Sequence, residues 1–133
     1  MKNELSFLER SVLEKILDGD IPLLIQLRQQ IARCIVVKRE YTGFGFYATL
    51  SVPADINRTS DFNIKLGDVV GEISGLTNGA GFLLYIKDGV LDMLEGYSYD
   101  EPWPISIPNF NLKYLHGEER DWLSLEKILC KKS

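Results

Sequence analysis

The sequence predicts an α+β domain with two amino-terminal helices, an antiparallel β-meander of about five strands and a carboxyl-terminal helix, the helices lying on one sheet face. Three observations predict it. Apolar residues recur at helical spacing up to Arg33, the period changes to two from Cys34 onward, and a last amphipathic segment follows Gly117. The strand-like runs are joined by short turns, which leave no room for the crossover helices of a parallel sheet.

Ser6 and Glu9 fit a capping box, in which the Ser6 hydroxyl accepts from the amide three residues on and Glu9 reaches back to the Ser6 amide. A helix is therefore expected from Phe7. Leu8, Val12, Leu13, Ile16 and Leu17 form its apolar stripe, and Gly19 supplies the backbone freedom that ends it. Asp20 is expected to cap a second helix with Pro22 in its first turn, and Leu23, Leu24, Leu27 and Ile31 carry the stripe to about Arg33.

CIVVKRE (34–40) and FYATLSV (46–52) flank the turn TGFG and read as a β-hairpin. Pro53 stops the second strand, and ADINRTSD (54–61) reads as an exposed connection. Three strands are expected next: FNIKLGD merging into VVGEISGL, then GFLLYIKD after TNGAG, then VLDMLEGYSY after the Asp88-Gly89 hairpin turn. Pro102 and Pro104 flank Trp103 and end strand pairing, because neither proline has an amide to donate. IPNFNLKYL (107–115) holds an edge strand, and GEERDWLSLEKILCKK (117–132) closes as a helix, acidic at its start and basic at Lys131 and Lys132.

The chain has 133 residues, 45% hydrophobic and 26% charged, which suits one domain spanning 1–133 with a core of ordinary size. No stretch has the roughly 18 apolar residues of a membrane span, and Glu4, Glu9 and Arg10 interrupt the start where a signal peptide needs an apolar run, so a cytoplasmic protein is expected. Cys34 and Cys130 are far apart with only His116 as a nitrogen partner. That set is too small for a zinc site, so buried free thiols and no metal or other cofactor are expected.

The net charge of -4 argues against affinity for nucleic-acid phosphates. It is unevenly placed. Residues 1–66 carry nine basic and eight acidic side chains, residues 67–133 six and eleven. Between 68 and 101, Asp68, Glu72, Asp88, Asp92, Glu95, Asp100 and Glu101 face Lys87 alone, a local net of -6. Gathered on adjacent strands, such charges would add their fields and draw in a basic partner. An acidic meander that only keeps a sheet soluble fits the same count.

Motifs for catalysis are sparse. His116, the one histidine, sits between Leu115 and Gly117 with no orienting partner in view, and no GxSxG elbow is present. The glycines of GFGF and NGAG match no nucleotide-binding pattern and read as turn residues. Asp92 and Glu95 are three apart, which in a regular strand puts them on opposite sides. Asp100 and Glu101, beside Tyr97, Tyr99 and Trp103, admit three readings. They are acids of a small hydrolase working with His116, or solvent-facing acids beside a tyrosine packed in the core, or part of an aromatic and acidic surface for a protein partner. The partner-binding set on the last reading is Asp88, Asp92, Glu95, Tyr97, Tyr99, Asp100, Glu101 and Trp103.

REYTGFGF (39–46), GAGFLLY (79–85) and DMLEGYSYDEPWP (92–104) resemble blocks of an uncharacterised family of small bacterial proteins, over about residues 6–104. The resemblance implies no reaction, cofactor or catalytic residue. In size and charge the chain is also similar to immunity proteins that neutralise basic nuclease toxins, a likeness of class rather than motif. The expected function is thus a non-catalytic binding protein, of immunity type. A small hydrolase, or a structural homodimer paired through a strand edge, stands as the alternative.

Overall fold

The computed structural model describes residues 3–56, 58, 63–115, 117 and 119–130. Helix α1 spans Phe7–Ile16 and starts with the full capping box, the Glu9 amide donating to Ser6 Oγ at 3.0 Å and the Ser6 amide to Glu9 Oε1 at 2.8 Å. Helix α2, Pro22–Gln30, runs into a 3-10 turn at Ile31–Arg33. Its N-cap is Ile21, which makes no side-chain cap bond, so the expectation of an Asp20 cap is corrected. Proline in the first turn lacks an amide, which leaves fewer donors for a cap to satisfy.

Among the described residues six strands follow: β1 Ile35–Tyr41, β2 Gly45–Ser51, β3 Ile64–Ile73, β4 Ala80–Lys87, β5 Val90–Ser98 and β6 Phe110–Tyr114. They form one antiparallel sheet in the order β1-β2-β5-β4-β3-β6. The α+β class stands, and two details of the expected sheet are corrected. Among the described residues the strands number six rather than about five, because the edge strand expected at 107–115 is present as β6 and pairs with β3 through Val69–Tyr114 and Ile73–Phe110. They are not a simple meander either, because β2 pairs with β5, placing Tyr47 opposite Glu95 and Gly45 opposite Tyr97. Of the connection expected at 54–61, residues 54, 55 and 58 are exposed and Ile56 is half-buried; 57 and 59–61 lie outside the described residues.

Helix α3 spans Trp122–Cys130 rather than starting near Gly117. Asp121 accepts from the Ser124 amide at 3.1 Å and from its hydroxyl at 2.9 Å, which sets the cap at Asp121. Lys131 and Lys132 lie outside the described residues. No helix among the described residues is long and apolar enough to cross a membrane.

The core follows from strand alternation. Phe46, Ala48 and Leu50 of β2, Leu91 and Leu94 of β5, Phe82, Leu84 and Ile86 of β4, and Leu66, Val69 and Ile73 of β3 are buried together with Val12, Leu13, Ile16, Leu24, Leu27, Leu125 and Leu129 of the helices. Two polar side chains inside this core join elements distant in sequence. The Gln30 amide donates to Gly89 O and accepts from the Leu91 amide, each at 3.1 Å, which fastens the β4–β5 turn to α2. Arg120, 5% exposed, donates to Asp68 at 2.6 and 3.0 Å, to Asp18 O at 2.8 Å and to Ile16 O. The last carbonyls around the end of α1 thereby find a donor.

The sheet edge at β1 is partly closed by the chain itself. The Val36 amide donates to Asn3 O, and the Trp103 amide to Gly43 O just beyond the strand, both at 2.8 Å.

Candidate functional site

The outward side of the sheet is built by the alternate residues of the core-forming strands. Tyr47 and Thr49 of β2, Met93, Glu95 and Tyr97 of β5, and Leu83 and Tyr85 of β4 all point away from the core and are half-buried. None belongs to the core cluster, and among the described residues no helix packs over them. Glu95 is the only charged residue of this central group, flanked in register by Tyr47 and Leu83.

The carboxylate of Glu95 organises its neighbours. Tyr85 Oη donates to Glu95 Oε1 at 3.0 Å. Burial, then this bond, push the Tyr85 hydroxyl up to about 12. Tyr47 is raised as well, by the negative charge of Glu95 and by a hydrogen bond to it. Tyr97 lies over Gly81, where an added Cβ would stand 2.5 Å from the ring, and meets Tyr99 edge-on at 5.7 Å between centroids. Burial raises the Tyr97 hydroxyl. Tyr97 is half-buried on this outward side and Tyr99 is exposed, so neither packs in the core, as one reading of the sequence had it.

Around this centre stands a charged rim. Lys38 and Glu40 of β1, Lys65 and Glu72 of β3 and Lys113 of β6 share the outward side by register. Three lysines oppose three glutamates when Glu95 is included, so the whole face is close to neutral. The block that totals -6 along the chain is dispersed in space. Asp68 is bound by Arg120, Glu72 accepts from Asn111 at 3.3 Å, and Lys65 and Lys113 stand on strands beside it.

The eight residues singled out in the sequence occupy three places. Glu95, Tyr97 and Tyr99 belong to the outward face and its end. Asp88 and Asp92 lie toward the opposite end of β5, Asp92 three residues from Glu95, roughly 10 Å at about 3.3 Å per residue. Asp88 has φ +52 in the β4–β5 turn, and Asp92 stands at a bulge opposite Tyr85 and Ile86. That bulge breaks the alternation behind the opposite-sides expectation for Asp92 and Glu95: Leu91 and Leu94, three apart, are both buried.

Asp100, Glu101 and Trp103 form a corner at the third place. Glu101 accepts from the amides of Thr77 and Asn78, both at 2.8 Å, and these bonds hold its carboxyl below the ordinary value. Ser98 bonds Phe44 O and Glu101 O, and Trp103 stacks edge-on against Phe46 at 5.4 Å. The segment 98–103 thus clasps the β1–β2 and β3–β4 turns on either side of the end of β5. Asp100, with φ +69, is exposed at its tip.

On the core side of that corner a cleft of about 740 Å³ opens between α1, β1 and residues 103–110. Phe7, Tyr41, Trp103 and Ile105 line it, with the Glu9–Arg39 ion pair at 2.7 Å among them. His116, the proposed partner of a hydrolase acid, lies outside the described residues. Cys34 is a buried free thiol whose pKa burial raises to about 11, which makes it a poor nucleophile. Among the described residues no three His, Cys, Asp or Glu side chains converge as metal ligands would.

Tyr47, Leu83 and Tyr85 were not singled out in the sequence. Alternation in FYATLSV and GFLLYIKD places them opposite the apolar positions, but only the β2–β5–β4 order brings them to Glu95. Comparisons with protein-family models, with curated proteins and with solved structures gave no match.

Proposed function

We propose that this protein is a non-catalytic binding protein that docks another protein on the outward face of β2, β5 and β4. The observation that carries this reading is the grouping of Tyr47, Tyr85, Tyr97, Met93 and Leu83 around a single carboxylate, inside a rim of lysines and glutamates and with no helix over it among the described residues. Tyrosine and methionine at the centre with charges at the rim is the anatomy of an interface core. The narrower form of the proposal is an immunity-type inhibitor of a basic, nuclease-like toxin domain. The net charge of -4 supports it through steering of a basic partner over long range.

Cross-linking in the native cell, followed by affinity measurement with the purified partner, tests the reading. Tyr97→Ala combined with Met93→Lys should weaken binding at least a hundredfold while the circular dichroism spectrum stays unchanged. Retained affinity in that double variant, or loss instead in Ile105→Lys at the cleft, removes the outward face as the site. For the toxin form, co-expression should protect cells from a captured nuclease domain, and failure to protect rejects it.

A further inference from the structure

We infer that Glu95 is the anchor of this face and takes the guanidinium or ammonium group of an arginine or lysine on a heterologous protein partner. The inference rests on the reading of the face as a docking surface and names what that surface must meet.

Docking would strip water from the centre of the face, and the centre holds one ionised group. Glu95 lies between Tyr47 and Leu83 in register, with Tyr85 diagonal to it. The Tyr85 hydroxyl donates to the carboxylate at 3.0 Å, and this neutral donor holds it in place without cancelling its charge. A carboxylate buried without a countercharge opposes association, whereas one that meets a cation supports it. Lys38 is ion-paired with Glu40 at 3.7 Å, and Lys65 stands over the Tyr85 ring at 5.7 Å from its centroid. Lys65 lies one strand beyond β4, while Glu95 is on β5. The countercharge must therefore come from the partner. The tyrosine rings beside the carboxylate suit that group, since their faces attract a cation that the carboxylate then fixes.

The same placement disfavours a second copy of this chain as occupant. Two such faces joined about a two-fold axis through their centres would bring Glu95 against Glu95, and like charges in a desolvated interface repel. A partner with an arginine or lysine at the middle of its contact patch has the complementary charge.

The test uses the full chain labelled with ¹⁵N, titrated at near-physiological salt with a tetra-arginine peptide and, as control, a tetra-glutamine peptide. The expected result is a set of amide shifts centred on Tyr47, Tyr85 and Glu95 with tetra-arginine only, and at least fivefold weaker binding in Glu95→Gln. Equal binding by Glu95→Gln with the shifts still on this face overturns the anchor and leaves the docking face standing. Shifts confined to other regions, or none, overturn both. A wild-type dimer whose contact amides are those of this face also overturns the inference.

Discussion

Arg120 and Asp68 form a two-pronged ion pair, at 2.6 and 3.0 Å, with the guanidinium side chain 1% exposed and the carboxylate 29%. The same guanidinium serves Ile16 O and Asp18 O and lies 5.1 Å from the Tyr114 ring centroid and 5.5 Å from that of Trp122. It joins the end of α1, the bulged part of β3 and the approach to α3.

Removing this arginine leaves a partly buried carboxylate and helix-end carbonyls without their donor. Arg120→Ala is expected to cost about 3–5 kcal/mol in urea-induced unfolding, the range for breaking a buried ion pair. Asp68→Asn keeps one acceptor and should cost less. A loss below about 1 kcal/mol for Arg120→Ala would show that the pair does not hold these elements together.

Gln30 offers a test free of charge. Gln30→Leu keeps the apolar volume but leaves Gly89 O and the Leu91 amide unpaired in the core. At about 1–3 kcal/mol for each orphaned group, a destabilisation of about 2 kcal/mol or more is expected. Hydrogen exchange should show it locally, as faster exchange of the Leu91 amide than of neighbouring β5 amides.

The tyrosines around Glu95 predict a dependence on high pH. Tyr85 titrates near 12 in the folded protein against an ordinary 10.0, so its raised value contributes stability that is full below pH 10 and is lost as pH rises toward 12. Tyrosinate absorbance should show Tyr85 and Tyr47 ionising late. In Glu95→Gln, Tyr47 should return toward 10.0, and Tyr85 only part of the way, because burial remains its larger cause. An unchanged titration in that variant would contradict the contacts.

Glu101 predicts the opposite dependence. Its folded value is held below the ordinary 4.5 by the amides of Thr77 and Asn78, so its contribution is full above pH 4.5 and disappears as pH falls through the lowered value. Glu101→Gln should remove that part of the acid sensitivity and loosen the β3–β4 turn, seen as faster exchange of the Thr77 and Asn78 amides. Identical acid unfolding of the variant and the wild type would argue against the cap.

Local signals in the sequence were carried into the structure where neighbours along the chain decide them. The Ser6–Glu9 box starts α1, and Asp88-Gly89 turns β4 into β5, because each needs only a few consecutive residues. What depends on distant pairing was hidden. Nothing in FYATLSV says that its partner is β5, so the join of Tyr47 to Glu95 could not be read. Arg120 stands in a run of charged residues, yet it is buried, because Asp68 and the end of α1 arrive from far along the chain. DEPW invites a functional reading through its composition, whereas Glu101 and Trp103 are held by turns that meet only once the sheet closes.

The strand order also has a consequence for synthesis on the ribosome. The β1–β2 hairpin emerges early, but the strand that covers its inner neighbour, β5, is complete only when Ser98 has been added. During that interval Phe46, Ala48 and Leu50 have no sheet to complete, and the hairpin must wait as a marginal unit while β3, β4 and β5 form from contacts close in sequence. A nascent chain halted before β5 therefore offers a sticky, half-built surface of the kind that chaperones retain.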